Sequence, residues 1–175
     1  MSRPASSSAA LPMTYVLLRI LVVLNWLMGA AILVLLLVMP NAQWIMASFR
    51  ISPSPDTDRL ILGLRTVAAL GLAVVPLNYV VLKRLLAIVD TVRTGDPFVA
   101  TNAHRLRTIA WALLTLQLLS IVIGAIGKSI STPAHPVHLD AGFSINGWLG
   151  VLLTFLLARV FAEGTHMRED LEGTV

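Results

Sequence analysis

Four long apolar runs constrain this chain more than any other feature. They lie at Leu17–Met39, Leu60–Leu82, Thr108–Gly127 and Ser144–Ala162. Each reaches or approaches the ~20 residues that a helix rising about 1.5 Å per residue needs to cross ~30 Å of hydrocarbon. Strands of a membrane barrel alternate apolar and polar positions, and these unbroken runs do not. Composition agrees, with 57% hydrophobic and 13% charged residues and a mean hydropathy of +0.82. A soluble domain carries about 25% charged residues. The expected fold is all-α: a polytopic membrane protein of four transmembrane helices in two hairpins.

The expected spans are about 15–39, 60–82, 106–127 and 144–162. Residues 1–11, rich in Ser and Ala, read as a disordered N-terminus before a single membrane domain over 12–175. A signal peptide is the competing reading of the first forty residues. Its apolar core is too long and lacks a clear small-x-small cleavage site, so a retained span is favoured. Pro76 predicts a kink in the second span, and Ala68, Ala69, Gly71 and Ala73 offer small residues for close helix packing.

Between the second and third spans lies the longest polar interruption, KRLLAIVDTVRTGDPFVATNAHRLR, from Lys83 to Arg107. Leu85, Leu86, Ile88, Val89 and Val92 share one face at helical spacing, so the second helix should continue to a C-terminal cap at Gly95. Asp96-Pro97 then reads as a turn, Phe98 as an apolar plug, and Thr101 or Asn102 as the N-cap of the third helix. The cytoplasmic connector is therefore expected over 83–105 and a cytoplasmic tail over 163–175. Arg159/Glu163, His166/Asp170 and Arg168/Glu172, each four apart, support a helical tail to about Leu171.

Topology follows from the basic residues. Nine Lys and Arg fall on the side of the termini and connector and four on the other. The positive-inside rule then puts both termini and the connector in the cytoplasm.

Chemistry at depth is sparse. The expected spans hold no Asp, Glu, His or Lys, so no acid–base couple is available, and the chain reads as a non-enzyme with no catalytic residues. Asn25 and Gln117, on the order of 15 Å from one edge, are the candidates for an intramembrane polar contact. Structural glue is the first reading of that pair and a ligand contact the second. No cysteine is present, which excludes disulfides and thiolate sites. His135, His138 and Asp140 form H-x-x-H-x-D, but beside two prolines they read as solvated loop residues. No metal or cofactor is expected. Val137–Asp140 reads as a short strand pairing with part of the first loop, whose Gln43–Ile51 is amphipathic and aromatic and suits the membrane interface.

The connector Lys83–Arg107 carries a net +3, and the tail from Glu163 a net −3. Arg105 and Arg107 are thus candidates to meet Glu169, Asp170 and Glu172, in exposed pairs worth ~0–1 kcal/mol each. Contact of the bases with anionic lipid headgroups is weighed equally. A direct nucleic-acid role fails, because the charge is small and not interleaved with aromatics.

The segments GDPFVATNAHRLR (Gly95–Arg107) and RVFAEGTHMREDLEGTV (Arg159–Val175) resemble the DUF2975-type family. This is an uncharacterised bacterial family of four predicted membrane helices, catalogued as a domain of unknown function. The resemblance extends from the first span onward and brings no catalytic or ligand residues. It implies, by gene neighbourhood alone, a membrane protein that senses or tethers a cytoplasmic helix-turn-helix regulator. The leading expectation is a regulatory or interaction protein acting through connector and tail. The alternative is a small transporter or solute-binding component. The sequence assigns no oligomeric state.

Overall fold

The computed structural model describes residues 6–38, 55–95, 98–131 and 139–172, with side chains over 11–38, 58–95, 98–131 and 139–167. The chain is all-α: α1 spans Ser6–Val38, α2 Pro55–Arg93, α3 Ala100–Ile130 and α4 Ile145–Glu172. All four are long and apolar enough to cross a membrane. The 39 residues of α2 make a rod of about 58 Å, roughly twice the hydrocarbon thickness, so much of it continues beyond any bilayer.

The first helix begins at Ser6, inside the stretch expected to be disordered, and Pro12 lies within it. Ala9 and Ala10 carry almost no helix cost, and a proline near the start forfeits a single backbone bond. The other three helices also overrun their expected spans, because hydropathy marks the buried length and not the helical length. Pro76 likewise sits inside a continuous α2. The first loop and the H-x-x-H part of the second lie outside the described residues.

Helix contacts follow chain order: α1 packs on α2, α2 on α3, and α3 on α4, and among the described residues no other pair packs to a comparable extent. Contacting residues run in opposite directions along each pair. Tyr15 meets Arg93 and Trp26 meets Tyr79 (ring centroids 5.5 Å apart) between α1 and α2. Arg105 reaches Ala87, and Gly63 lies against Ile130, between α3 and α2. Trp111 packs edge-on to Phe155 at 5.5 Å between α3 and α4. Each helix therefore runs opposite to the one before it. Among the described residues, α4 makes no contact with α1 comparable to these.

This sparse packing has a physical basis. Lipid removes the hydrophobic drive between helices, leaving close contact and polar bonds to hold them. Only 6% of the apolar window of α1 is buried within the protein, against 28% for α3. Where helices touch, glycines permit it. A Cβ on Gly29 would come within 2.9 Å of Val75 Cγ1, and one on Gly124 would collide with the carbonyl of Ala141. At this far end the chain returns over α3 through Gly142 (φ 139°), whose N–H donates to Ser120 Oγ at 3.1 Å while the same hydroxyl donates to its carbonyl at 3.3 Å. Ser144 Oγ then accepts from Gly147 N–H at 3.2 Å, capping α4.

Candidate functional site

The polar chemistry collects where α2 turns into α3. Backbone bonds from Thr94 N–H to Asp90 O (3.1 Å) and from Gly95 N–H to Val92 O (3.2 Å) end α2. Gly95 holds φ +90°, a left-handed conformation that glycine adopts without strain. After the turn α3 starts behind Val99, which has no side-chain cap. Neither Thr101 nor Asn102 acts as the N-cap expected of them.

Asn102 is spent elsewhere. Its side chain is 0% exposed, and its amide donates to Thr91 Oγ1 at 2.7 Å. Thr91 in turn donates to the Ile88 carbonyl at 2.7 Å. The amide oxygen of Asn102 accepts from Arg105 Nη1 at 2.8 Å, and the same nitrogen donates to Ala87 O at 3.0 Å. One asparagine and one arginine of α3 are thus fastened to the last two turns of α2. A tertiary acceptor out-competed the local cap because the buried amide must be satisfied on both its donor and acceptor sides.

On the other flank, Phe98 stacks on Phe161 of α4 with centroids 5.3 Å apart and planes 28° from parallel. Gly164 lies one turn on, where a Cβ would touch Phe98 at an ordinary 3.5 Å. Thr165 is buried and donates to the Phe161 carbonyl at 2.8 Å. The turn is therefore held by α2 through polar bonds and by α4 through an aromatic stack. Phe98 nevertheless remains 46% exposed. The N-terminal helix joins the same end, with the Tyr15 ring lying 5.3 Å from Arg19 and 5.1 Å from Arg93.

The expected site residues fall as follows. Arg105 serves the α2 contact, whereas Arg107 is exposed and lines a groove with Arg159 and His104. Glu169, Asp170 and Glu172 continue α4, and their side chains lie outside the described residues. The two intramembrane amides sit in different interfaces and do not meet. Asn25 Nδ2 donates to the Val75 carbonyl of α2 at 3.1 Å. The Gln117 amide rests against Gly147 of α4, at a place any Cβ would occupy, and its Nε2 is buried without a partner among the described residues. His135 and His138 fall outside the described residues, and no group of three potential metal ligands occurs among those described.

A second groove, of about 490 Å³, runs between α1 and α2 along Trp26, Gly29, Leu33, Leu72 and Pro76 and is almost wholly apolar. Asn102, Thr91 and the Phe98–Phe161 stack are what the reading of the sequence missed. The signal available for Asn102, Phe98 and Phe161 was their place in the segments Gly95–Arg107 and Arg159–Val175, whereas Thr91 lies outside both.

The family model DUF2975, described as a protein of unknown function, matches residues 41–175. The chain belongs to this family. The match takes in α2, α3 and α4 and starts after α1, so it falls short of the resemblance expected from the first span onward. Within DUF2975 the matched part includes both the Asn102 clamp and the Phe98–Phe161 stack. Neither a curated protein nor a solved structure matches the chain.

Proposed function

We propose that this DUF2975 chain is a non-enzymatic protein of the bacterial inner membrane, with both termini and the α2–α3 turn in the cytoplasm. In this reading the turn and the C-terminal end of α4 form a surface that binds a protein partner in a regulatory role. One observation carries it: Phe98, an aromatic 46% exposed, is held in a frame fixed on both flanks. Rigid aromatics beside arginines are the groups that anchor protein interfaces, because little side-chain entropy remains to be lost on binding.

The same frame explains why the buried polar groups here serve architecture. Asn102, Thr91 and Arg105 satisfy one another and leave the turn's outer face for recognition. The charge distribution supports the orientation, since Lys83, Arg84, Arg93, Arg105, Arg107 and Arg159 cluster toward this end. A transporter would need polar groups lining a path, and neither groove described above is lined by Asn25 or Gln117.

The test is affinity capture from native membranes, comparing the intact chain with one lacking Glu163–Val175 and with Phe98→Ala. A partner recovered with the intact chain and lost with both variants is the expected result. Recovery of the same proteins from all three sinks the proposal.

A further inference from the structure

Beside the turn, on the flank of α3 and α4, lies a groove of about 450 Å³ with a divided chemistry. His104 and Arg107 of α3 and Arg159 of α4 line it together with Ala103, Phe155 and Ala158. Both arginines and the histidine are exposed, and among the described residues no carboxylate lines the groove. Glu163, one turn beyond Arg159, is exposed but outside the lining. Two guanidinium groups on one small groove repel each other unless an anion lies near both.

Directly along both helices from these cations the surface turns apolar. Trp111 follows Arg107 by four residues, is 54% exposed and packs edge-on to Phe155. Leu118 and Val122 extend the exposed stripe on α3, while Leu152 and Leu156 do so on the face of α4 that carries Arg159. A tryptophan between arginines and a hydrocarbon-facing stripe marks the membrane–water interface. Free phosphate would use only the cations, and a neutral lipid only the stripe. A ligand matching both has an anionic phosphate joined to acyl chains, and arginine forks suit phosphate oxygens.

We propose that this groove binds one anionic phospholipid, its phosphate between Arg107 and Arg159 with His104 beside it, and an acyl chain along Trp111 and Leu156. The site is lateral to the turn and goes beyond the partner-binding reading. It replaces a diffuse attraction between basic residues and headgroups with a single built position.

The test uses the purified full chain in detergent and native mass spectrometry. Phosphatidylglycerol, phosphatidylcholine of the same acyl chains, and soluble glycerol 3-phosphate are added separately. One phosphatidylglycerol should be retained about tenfold more strongly than phosphatidylcholine, a margin that two interfacial cations supply. Arg107→Gln with Arg159→Gln should abolish that preference. Lys83→Gln with Arg93→Gln removes equal charge from the same end and should leave it. Equal retention of the two lipids by the unaltered chain overturns the proposal whatever the variants do. So does an equal loss in both variant pairs, which marks a diffuse field. Glycerol 3-phosphate displacing the lipid at equal concentration also overturns it, since the headgroup alone would then suffice.

Discussion

The buried amide oxygen of Asn102 accepts a hydrogen bond from Arg105 at 2.8 Å, three residues along the same helix, and Arg105 carries that bond on to α2 through the Ala87 carbonyl. Neither side chain holds α2 alone. Asn102→Ala leaves Arg105 without its buried acceptor and Thr91 without its donor, and should cost about 1–3 kcal/mol. Arg105→Ala should cost a similar amount, and the double variant clearly less than the sum, because the two act as one network. Reversible unfolding in mixed micelles, read as a double-mutant cycle, checks this. Strict additivity would contradict the shared clamp.

The Phe98–Phe161 stack ties the turn to α4 by a contact worth about 0.5–1.5 kcal/mol beyond its buried area. Phe98→Ala should speed hydrogen exchange of backbone amides from Phe161 to Met167, with little change at Val151. Gly164→Ala should do the opposite or nothing. Its Cβ meets Phe98 at an ordinary 3.5 Å, and alanine is the better helix former by about 1 kcal/mol.

Gly124 and Gly150 are both helical and should respond differently to alanine. A Cβ at Gly124 would lie 2.8 Å from the Ala141 carbonyl carbon, a backbone group that cannot step aside, whereas nothing lies within 4 Å of one at Gly150. Gly124→Ala should therefore destabilise by about 1–3 kcal/mol, as overpacking does. Gly150→Ala should not destabilise and should gain up to about 1 kcal/mol, because alanine is the better helix former and its Cβ meets nothing. Thermal unfolding in detergent distinguishes the two.

Asn25 and Gln117 lie in separate interfaces, one on α2 and the other on α4. Asn25→Ala should cost about 0.6 kcal/mol, the average for such bonds in lipid. Combined with Gln117→Ala the effects should add within ~0.5 kcal/mol. A coupling well above that margin would put the two amides in contact.

The apolar runs announced four helices because transfer to lipid is a local property, summed residue by residue. The end of α2 was equally legible, since a glycine after a periodic helix needs no partner to explain it. Asn102 was not, because an asparagine near a helix start caps it by default, and only the register of α3 against α2 brings Thr91 within 2.7 Å. For the same reason Phe98 read as a plug with no stated partner until α4 placed Phe161 over it. The chain-order packing of the helices was also hidden. Apolarity that faces lipid and apolarity that faces another helix look identical in sequence, and only 6% of the apolar window of α1 is buried within the protein.

The central claim is that the clamped turn and the end of α4 share the cytoplasmic face, and a chain without cysteines allows a direct measurement of it. Thr94, Glu163 and Lys128 are all exposed and can be replaced singly by cysteine. A membrane-impermeant maleimide applied to intact spheroplasts should label Lys128→Cys, and should label Thr94→Cys and Glu163→Cys only after lysis. Labelling of Thr94→Cys or Glu163→Cys in intact spheroplasts, with Lys128→Cys protected, would contradict the account.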